Sequence, residues 1–397
     1  MSDVVVTGVG CLGAYGLGLD ALRTALAAGA PLASEVDRSA GYHRRGSAQT
    51  VASCGELSFE PWLSEDAGRR MSDLSQYAVT CARMALHDAG LDEVPKERTA
   101  VSIATAFGPG GFTERLALQV LQKGGKFASP FLFTDCVANA AAGQIAIATG
   151  ARGANTTICQ REAGPLLAVG QAMLDLQLGR ADVCLAGAID ELKPLSHAIL
   201  DRFRAVARPR DGEELPRPFD ARRNGYLAGE GGAVLVLERE QHARARGATV
   251  LARVRAAARG FDPTAPRTGI GQGHRELAAL LRDRIGDGLL AETDTVVSAA
   301  SGAVRGDALE AQVLAAALPH APRVLAPKAV TGEFGGGTLA PAILALQGAR
   351  FAVPVGCNHP DPMLEVRLEA GPAHAQRLLC SAHGAGGVSA WILFERP

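Results

Sequence analysis

Gly153-Ala154-Asn155-Thr156-Thr157-Ile158-Cys159-Gln160-Arg161-Glu162-Ala163-Gly164-Pro165 is the stretch whose reading decides the fold. A β-branched segment runs into a tight elbow at Arg161–Glu162, and Leu166, Leu167, Val169, Met173, Leu174 and Leu178 then recur close to helical spacing. That spacing predicts a helix to about Gly179. Asp182-Val183-Cys184-Leu185-Ala186 reads as a short strand closing the unit, with a turn at Gly187-Ala188. A side chain at such an elbow stands where unpaired backbone N–H groups favour negative charge. Here the elbow carries a carboxylate, Glu162.

Outward from this unit the pattern alternates strands and helices. Val4-Val5-Val6-Thr7-Gly8-Val9-Gly10 reads as a buried strand ending in a glycine turn, followed by a helix over 19–28. Residues 33–60 are polar and irregular, 71–89 a helix and 101–106 a strand. Residues 127–135 form a phenylalanine-rich loop, and 138–149 a helix of small residues that another backbone can approach closely. A long polar connection, 204–230, leads into a strand at 233–237 and a charged helix at 238–248. A second series follows: strands at 249–257, 295–300, 376–380 and 388–394, helices at 276–285 and 308–317, and a loop at 263–273. The reading is two αβ halves, 1–240 and 241–397, consistent with a diverged internal duplication.

The 397 residues are enough for one large or two fused medium domains. A net charge of −1 with mixed signs argues against a general nucleic-acid or anionic-membrane binder. No run approaches the ~18 unbroken apolar residues of a membrane span. Met1-Ser2-Asp3, followed at once by a strand, leaves no room for a signal peptide. Eight cysteines show no CxxC spacing and nine histidines no HExxH pairing, so no metal and no cofactor are expected. A cytoplasmic protein with reduced thiols is the simplest reading.

The elbow resembles that of the β-ketoacyl synthases of the thiolase superfamily, whose elbow cysteine takes the growing acyl chain as a thioester. Counting without gaps from Gly153 forward and from Ala181-Asp182-Val183 backward lands on Glu162. Glu162-Ala163-Gly164 is similar to the Gln-Ala-Gly of chain length factors, the cysteine-less ketosynthase subunits of type II polyketide systems. Arg217-Pro218-Phe219-Asp220 and Asn224-Gly225-Tyr226, running into Gly229-Glu230-Gly231, resemble further family signatures, with Asn224 where aspartate is usual. The resemblance spans 4–394. It implies an α/β protein of the thiolase fold, with duplicated halves stacked into a five-layered αβαβα core.

It also implies where catalytic groups should stand. The family's first histidine, in His-Gly-Thr…Gly-Asp, falls at Ala299, with Gly306, Asp307 and Glu310 kept. Lys328-Ala329-Val330-Thr331-Gly332 matches the motif before the second histidine, and the next residue is Glu333. Alanine offers no donor, an ionised Glu333 would repel an enolate, and an acyl-glutamate would be a water-labile anhydride. Ordinary condensation is therefore not expected. Ser381-Ala382-His383-Gly384-Ala385-Gly386-Gly387 resembles the family's Gly-Phe-Gly-Gly loop, with Ala385 where a gate phenylalanine is usual. A second gate position falls at Leu200. By the same resemblance Phe131, Phe133 and Cys136 are candidates for shaping an acyl tunnel at a dimer interface, with core packing as the other reading.

Glu162 reads either as a structural carboxylate at a helix start, neutralised by Arg161 or Lys328, or as a catalytic or ligand-binding group. Cys159, in the imitation motif Thr157-Ile158-Cys159, would need three extra residues before the Asp182 strand, and it suits a buried strand interior. His383 beside a glycine turn reads as structural. Two functions follow from the resemblance. One is a silent, chain length factor-like subunit paired with an active ketosynthase, which would supply most of the docking surface for an acyl carrier protein. The other is a divergent homodimeric acyltransferase using Glu162, Glu333 and Lys328.

Overall fold

The computed structural model describes residues 3–210 and 212–397. In the first half of the chain, β1 (Val4–Gly13) and α1 (Gly18–Ala28) lead to α2 (Asp73–Asp88) and β2 (Thr99–Ala104). Then come α3 (Gly110–Lys123), α4 (Pro130–Thr134), α5 (Ala140–Thr149) and β3 (Asn155–Ile158). α6 (Gly164–Gln177), β4 (Val183–Asp190), α7 (Pro194–Arg202) and β5 (Gly231–Arg239) complete it. The second half has β6 (Ala252–Phe261), α8 (His274–Ile285), β7 (Thr295–Ser298), α9 (Val304–Ala317) and β8 (Arg323–Leu325). It ends with α10 (Lys328–Thr331), α11 (Leu339–Leu346), β9 (Arg377–His383) and β10 (Val388–Glu395).

The first five strands lie in the order β3-β2-β4-β5-β1 and the second five in the order β8-β7-β9-β10-β6, the same topology used twice. In each half the outer three strands are parallel and the last two antiparallel. The two series are joined where Val4, Val5 and Val6 pair with Val254, Arg253 and Ala252. Their outer edges differ. Val324 of β8 is bridged by Leu368, and the Arg323 guanidinium donates to the carbonyls of Glu369, Gly371 and Pro372. β3, at the other outer edge, pairs only with β2 among the described residues.

Side-chain alternation explains the layers. Cys184 and Ala186 of β4 face a core containing α6 and α11, whereas Val183 and Leu185 face α2 and α5. Across the molecule Ile392 and Phe394 of β10 face that same middle core, whereas Trp391 and Leu393 face α8 and α9. α11 is buried at every position, as an all-apolar helix between two sheets must be. The result is the expected αβαβα stack. Among the described residues no helix is long and apolar enough to cross a membrane.

Two expected turns are strand interior instead. β1 continues through Gly10 to Gly13 and β4 continues through Gly187 to Asp190. A Cβ on Gly10 would sit 2.0 Å from the Cys81 carbonyl oxygen of α2, and one on Gly187 would sit 2.0 Å from that of Ala233. These glycines permit close backbone approach rather than chain reversal. The 127–135 loop contains α4, capped by Ser129 with Pro130 in its first turn. The charged helix shrinks to Glu240–Ala245 because Glu238 belongs to β5, where its buried carboxylate holds Thr7, His242 and Arg246.

Candidate functional site

β3 stops at Ile158, and the chain enters a single 3-10 turn, Arg161–Ala163, that feeds α6. Arg161 has φ +43°, a left-handed conformation that a non-glycine residue keeps only where its surroundings enforce it. The turn sets Glu162 at the helix entry, half-buried. Its Oε2 accepts a hydrogen bond from the Ala385 N–H at 3.1 Å, donated from the glycine turn between β9 and β10. The second half of the molecule thus caps the elbow carboxylate. Neither Arg161 nor Lys328 forms an ion pair with Glu162 among the described residues: Arg161 is exposed, and the Lys328 ammonium is turned to Glu333. Cys159 is exposed one residue past the end of β3, not buried inside a strand, because the edge strand ends before it.

Lys328 opens α10 and is almost wholly buried, with Nζ bonded to the carboxylate of Glu333. Burial pushes the Glu333 carboxyl above its ordinary range; the ammonium opposes that shift and nearby Glu162 adds to it. The Glu333 backbone is fixed by an N–H donated to Leu227 and a carbonyl accepting from Gly229. Asp190, at the end of β4, accepts from the Thr105 hydroxyl at 3.0 Å and from the N–H groups of Ala106 and Gly335 at 2.6 and 2.7 Å. Burial raises its carboxyl as well. Burial, with Glu162 and Glu333 nearby, holds the Tyr226 phenol well above its ordinary value.

Glu162, Asp190, Tyr226, Glu333, Leu200 and Phe107 share the wall of one cavity of about 30 Å³. That is room for a water or two, not for an acyl chain. Ala299 follows β7 with its N–H donated to the Ser381 carbonyl, and its methyl packs against the middle core. The kept Asp307 accepts from the N–H groups of Phe219 at 3.0 Å and of Ser301 and Gly302 at 3.2 Å each, tying the Arg-Pro-Phe-Asp stretch to the Gly-Asp motif. Burial pushes Asp307 up to about 7 and Glu310 up to about 8. His383 is buried with Nδ1 2.8 Å from Ser389 Oγ, its ring edge-on to Trp391; burial pulls its pKa down to about 4.

The fold brings Glu162, Glu333, Lys328, Leu200 and Ala385 together. It does not bring Phe131, Phe133 or Cys136 to the cavity. Phe131 is 45% exposed and Phe133 63% exposed, so neither is core packing, and Cys136 lies partly exposed beside them. Phe131 and Phe133 lie on α4, which packs on α3, and Leu121 of α3 and Ile147 of α5 are further exposed apolar side chains. Sequence reasoning missed Asp190 and Tyr226. An acidic pair, Asp190-Glu191, at the end of an apolar strand was the available signal for the first. An N–H aimed at an elbow is the type of donor that stabilises a developing oxyanion. Here a carboxylate already occupies it, and among the described residues no thiol or imidazole lines the cavity.

Residues 1–243 match the family model of the β-ketoacyl synthase N-terminal domain. The chain belongs to the β-ketoacyl synthase family. It is 31% identical, over 99% of its length and 98% of the relative's, to a Streptomyces halstedii protein described as a polyketide β-ketoacyl synthase. It is 30% identical to the ketoacyl synthase beta subunit of the Streptomyces glaucescens tetracenomycin polyketide synthase, over all of this chain and 98% of that one. Among solved structures it resembles the ishigamide ketosynthase/chain length factor with a TM-score of 0.87 at 25% identity, covering 100% of this chain and 99% of that one. The β-ketoacyl synthase fold is therefore present throughout the chain.

Proposed function

We propose that this chain is a non-condensing, chain length factor-like subunit that pairs with an active ketosynthase in a type II polyketide or related synthase. The observation that carries this reading is a reaction centre closed on itself. Glu162 takes the Ala385 N–H, Lys328 is bound to Glu333, and the cavity beside them, about 30 Å³, is too small for an acyl chain. A beta-subunit relative and a ketosynthase/chain length factor structure among the neighbours support the same assignment. In this reading the partner supplies the cysteine, the histidines and most of the acyl-carrier-protein contact. The flank bearing Phe131, Phe133 and Cys136 forms part of the interface and tunnel wall. The eight unpaired thiols suit the cytoplasm, and the repeated strand order supports a division of the chain near residue 240.

The test is native mass spectrometry of the protein isolated from its own host, followed by product analysis. A 1:1 complex with a cysteine-bearing ketosynthase, and shorter products when residue 133 or 136 is enlarged to Trp, are expected. A pure homodimer with acyl-transfer activity lost in Glu162→Gln and Glu333→Gln would overturn the proposal in favour of a divergent enzyme.

A further inference from the structure

Away from the elbow, two histidines meet. Nε2 of His43, in the irregular segment before Val51, lies 3.0 Å from Nδ1 of His197 on α7. Nε2 of His197 lies 3.1 Å from the Thr50 carbonyl oxygen. A carbonyl only accepts, so His197 carries its proton on Nε2 and its Nδ1 is bare. The proton between the rings therefore belongs to His43 Nε2, and His43 Nδ1 is bare too. That atom is buried without a hydrogen-bond partner. The pair is complete with both rings neutral, and a further proton finds no acceptor. On His43 Nδ1 it would be a buried, unpaired N–H, and on His197 Nδ1 it would face the His43 Nε2–H.

The pair joins α7, which lines the cavity, to a segment that runs on to the back of the cavity wall. One turn along α7, Asp201 accepts from the Ala48 N–H at 3.1 Å and from Arg208, and Glu214 holds the N–H groups of Gln49 and Thr50. On one side α7 carries Leu200 into the cavity wall. On the other, Ala52 is bonded to Ala228 and Glu230 and packs against Gly332, next to Glu333. We propose that His43 and His197 form a proton-sensitive latch that holds the 36–51 segment to α7, and that protonation releases it. Burial lowers the pKa of both rings; Arg38 adds to the shift at His43 and the neighbouring ring adds to it at His197. Asp37 and Asp201 oppose it at His43, and Thr50, Asp201 and Glu214 oppose it at His197.

The sign follows from linkage. Groups whose pKa is depressed on folding favour the closed latch above the ordinary histidine value of 6.5 and weaken it as pH falls below. The latch does not depend on the proposed partner. Hydrogen exchange at about pH 7.5 and about pH 5.5, corrected for intrinsic rates, tests it. Peptides covering 36–51 and 194–202 should lose protection about tenfold relative to β4 and β5 at the lower pH. His43→Gln/His197→Gln, whose amides replace the two N–H donors without titrating, should lose none. Equal protection at both pH values in the wild type, or equal loss in the double variant, would overturn the latch. Should that variant not fold, imidazole nitrogen NMR of the wild-type chain decides. Two rings neutral well below 6.5 support the latch, and ordinary titration of both refutes it.

Discussion

Lys328 is the residue on which the buried charge of the centre turns. In the middle of a protein an ammonium is tolerated only when paired, and Glu333 is placed to pair it. Removing one partner strands the other, so Lys328→Met should cost about 3–5 kcal/mol in chemical denaturation. Lys328→Met/Glu333→Leu should cost far less, because both charges leave together. Glu310 makes a complementary prediction. Its pKa is raised from 4.5 to about 8 on folding, so the folded state holds its proton more tightly. That contribution is present below 4.5 and is lost as pH climbs to about 8. Glu310→Gln should flatten the fall of stability with pH across this window, read from denaturation midpoints. A wild-type profile already flat there would contradict the assignment.

At the scale of elements, periodicity in the sequence located strands and helices well where a core lies on one side, as in α2 and α6. It failed where both sides are covered or where a residue serves close approach. Leu339-Ala340-Pro341-Ala342-Ile343-Leu344-Ala345-Leu346 has no polar face to mark it as a helix, yet it fills the middle layer. Gly10 and Gly187 look like turn residues and are strand residues, because the reason for glycine is a neighbouring backbone that no local pattern reports. Gly10→Ala should therefore destabilise by about 3 kcal/mol or more in thermal or denaturant unfolding. Gly179→Ala, at φ +67° beyond the end of α6 with nothing near its Cβ, should cost about 1 kcal/mol. The elbow itself was legible down to Glu162, since its spacing from both flanking strands survives. The partner of that carboxylate was not, because Ala385 lies 223 residues away and contributes only a backbone N–H.

For the whole molecule the exposed apolar side chains are the feature a partner would cover. Ile147 is 77% exposed and Leu121 81% exposed. Isolated surface positions of this type tolerate polar replacement within about 0.5 kcal/mol. Ile147→Asp should accordingly leave the unfolding midpoint of the isolated chain unchanged. In the proposed complex it should abolish co-purification with the ketosynthase partner in a tandem-affinity experiment. Retained co-purification would place the interface elsewhere. If the proposed non-condensing role holds, Glu162→Cys alone should give no condensation in a radiolabelled malonyl assay, because no imidazole lines the cavity among the described residues.

The two outer edges of the doubled sheet have unequal fates. β8 is stitched over by the 367–372 segment, whereas among the described residues the backbone of β3 is paired on one side only. A sheet that can be extended in one direction alone adds a single neighbour and then stops. Growth into fibres needs two complementary edges on every molecule, and the main sheet of the described residues offers one. The doubled sheet is thus a body suited to finite assembly.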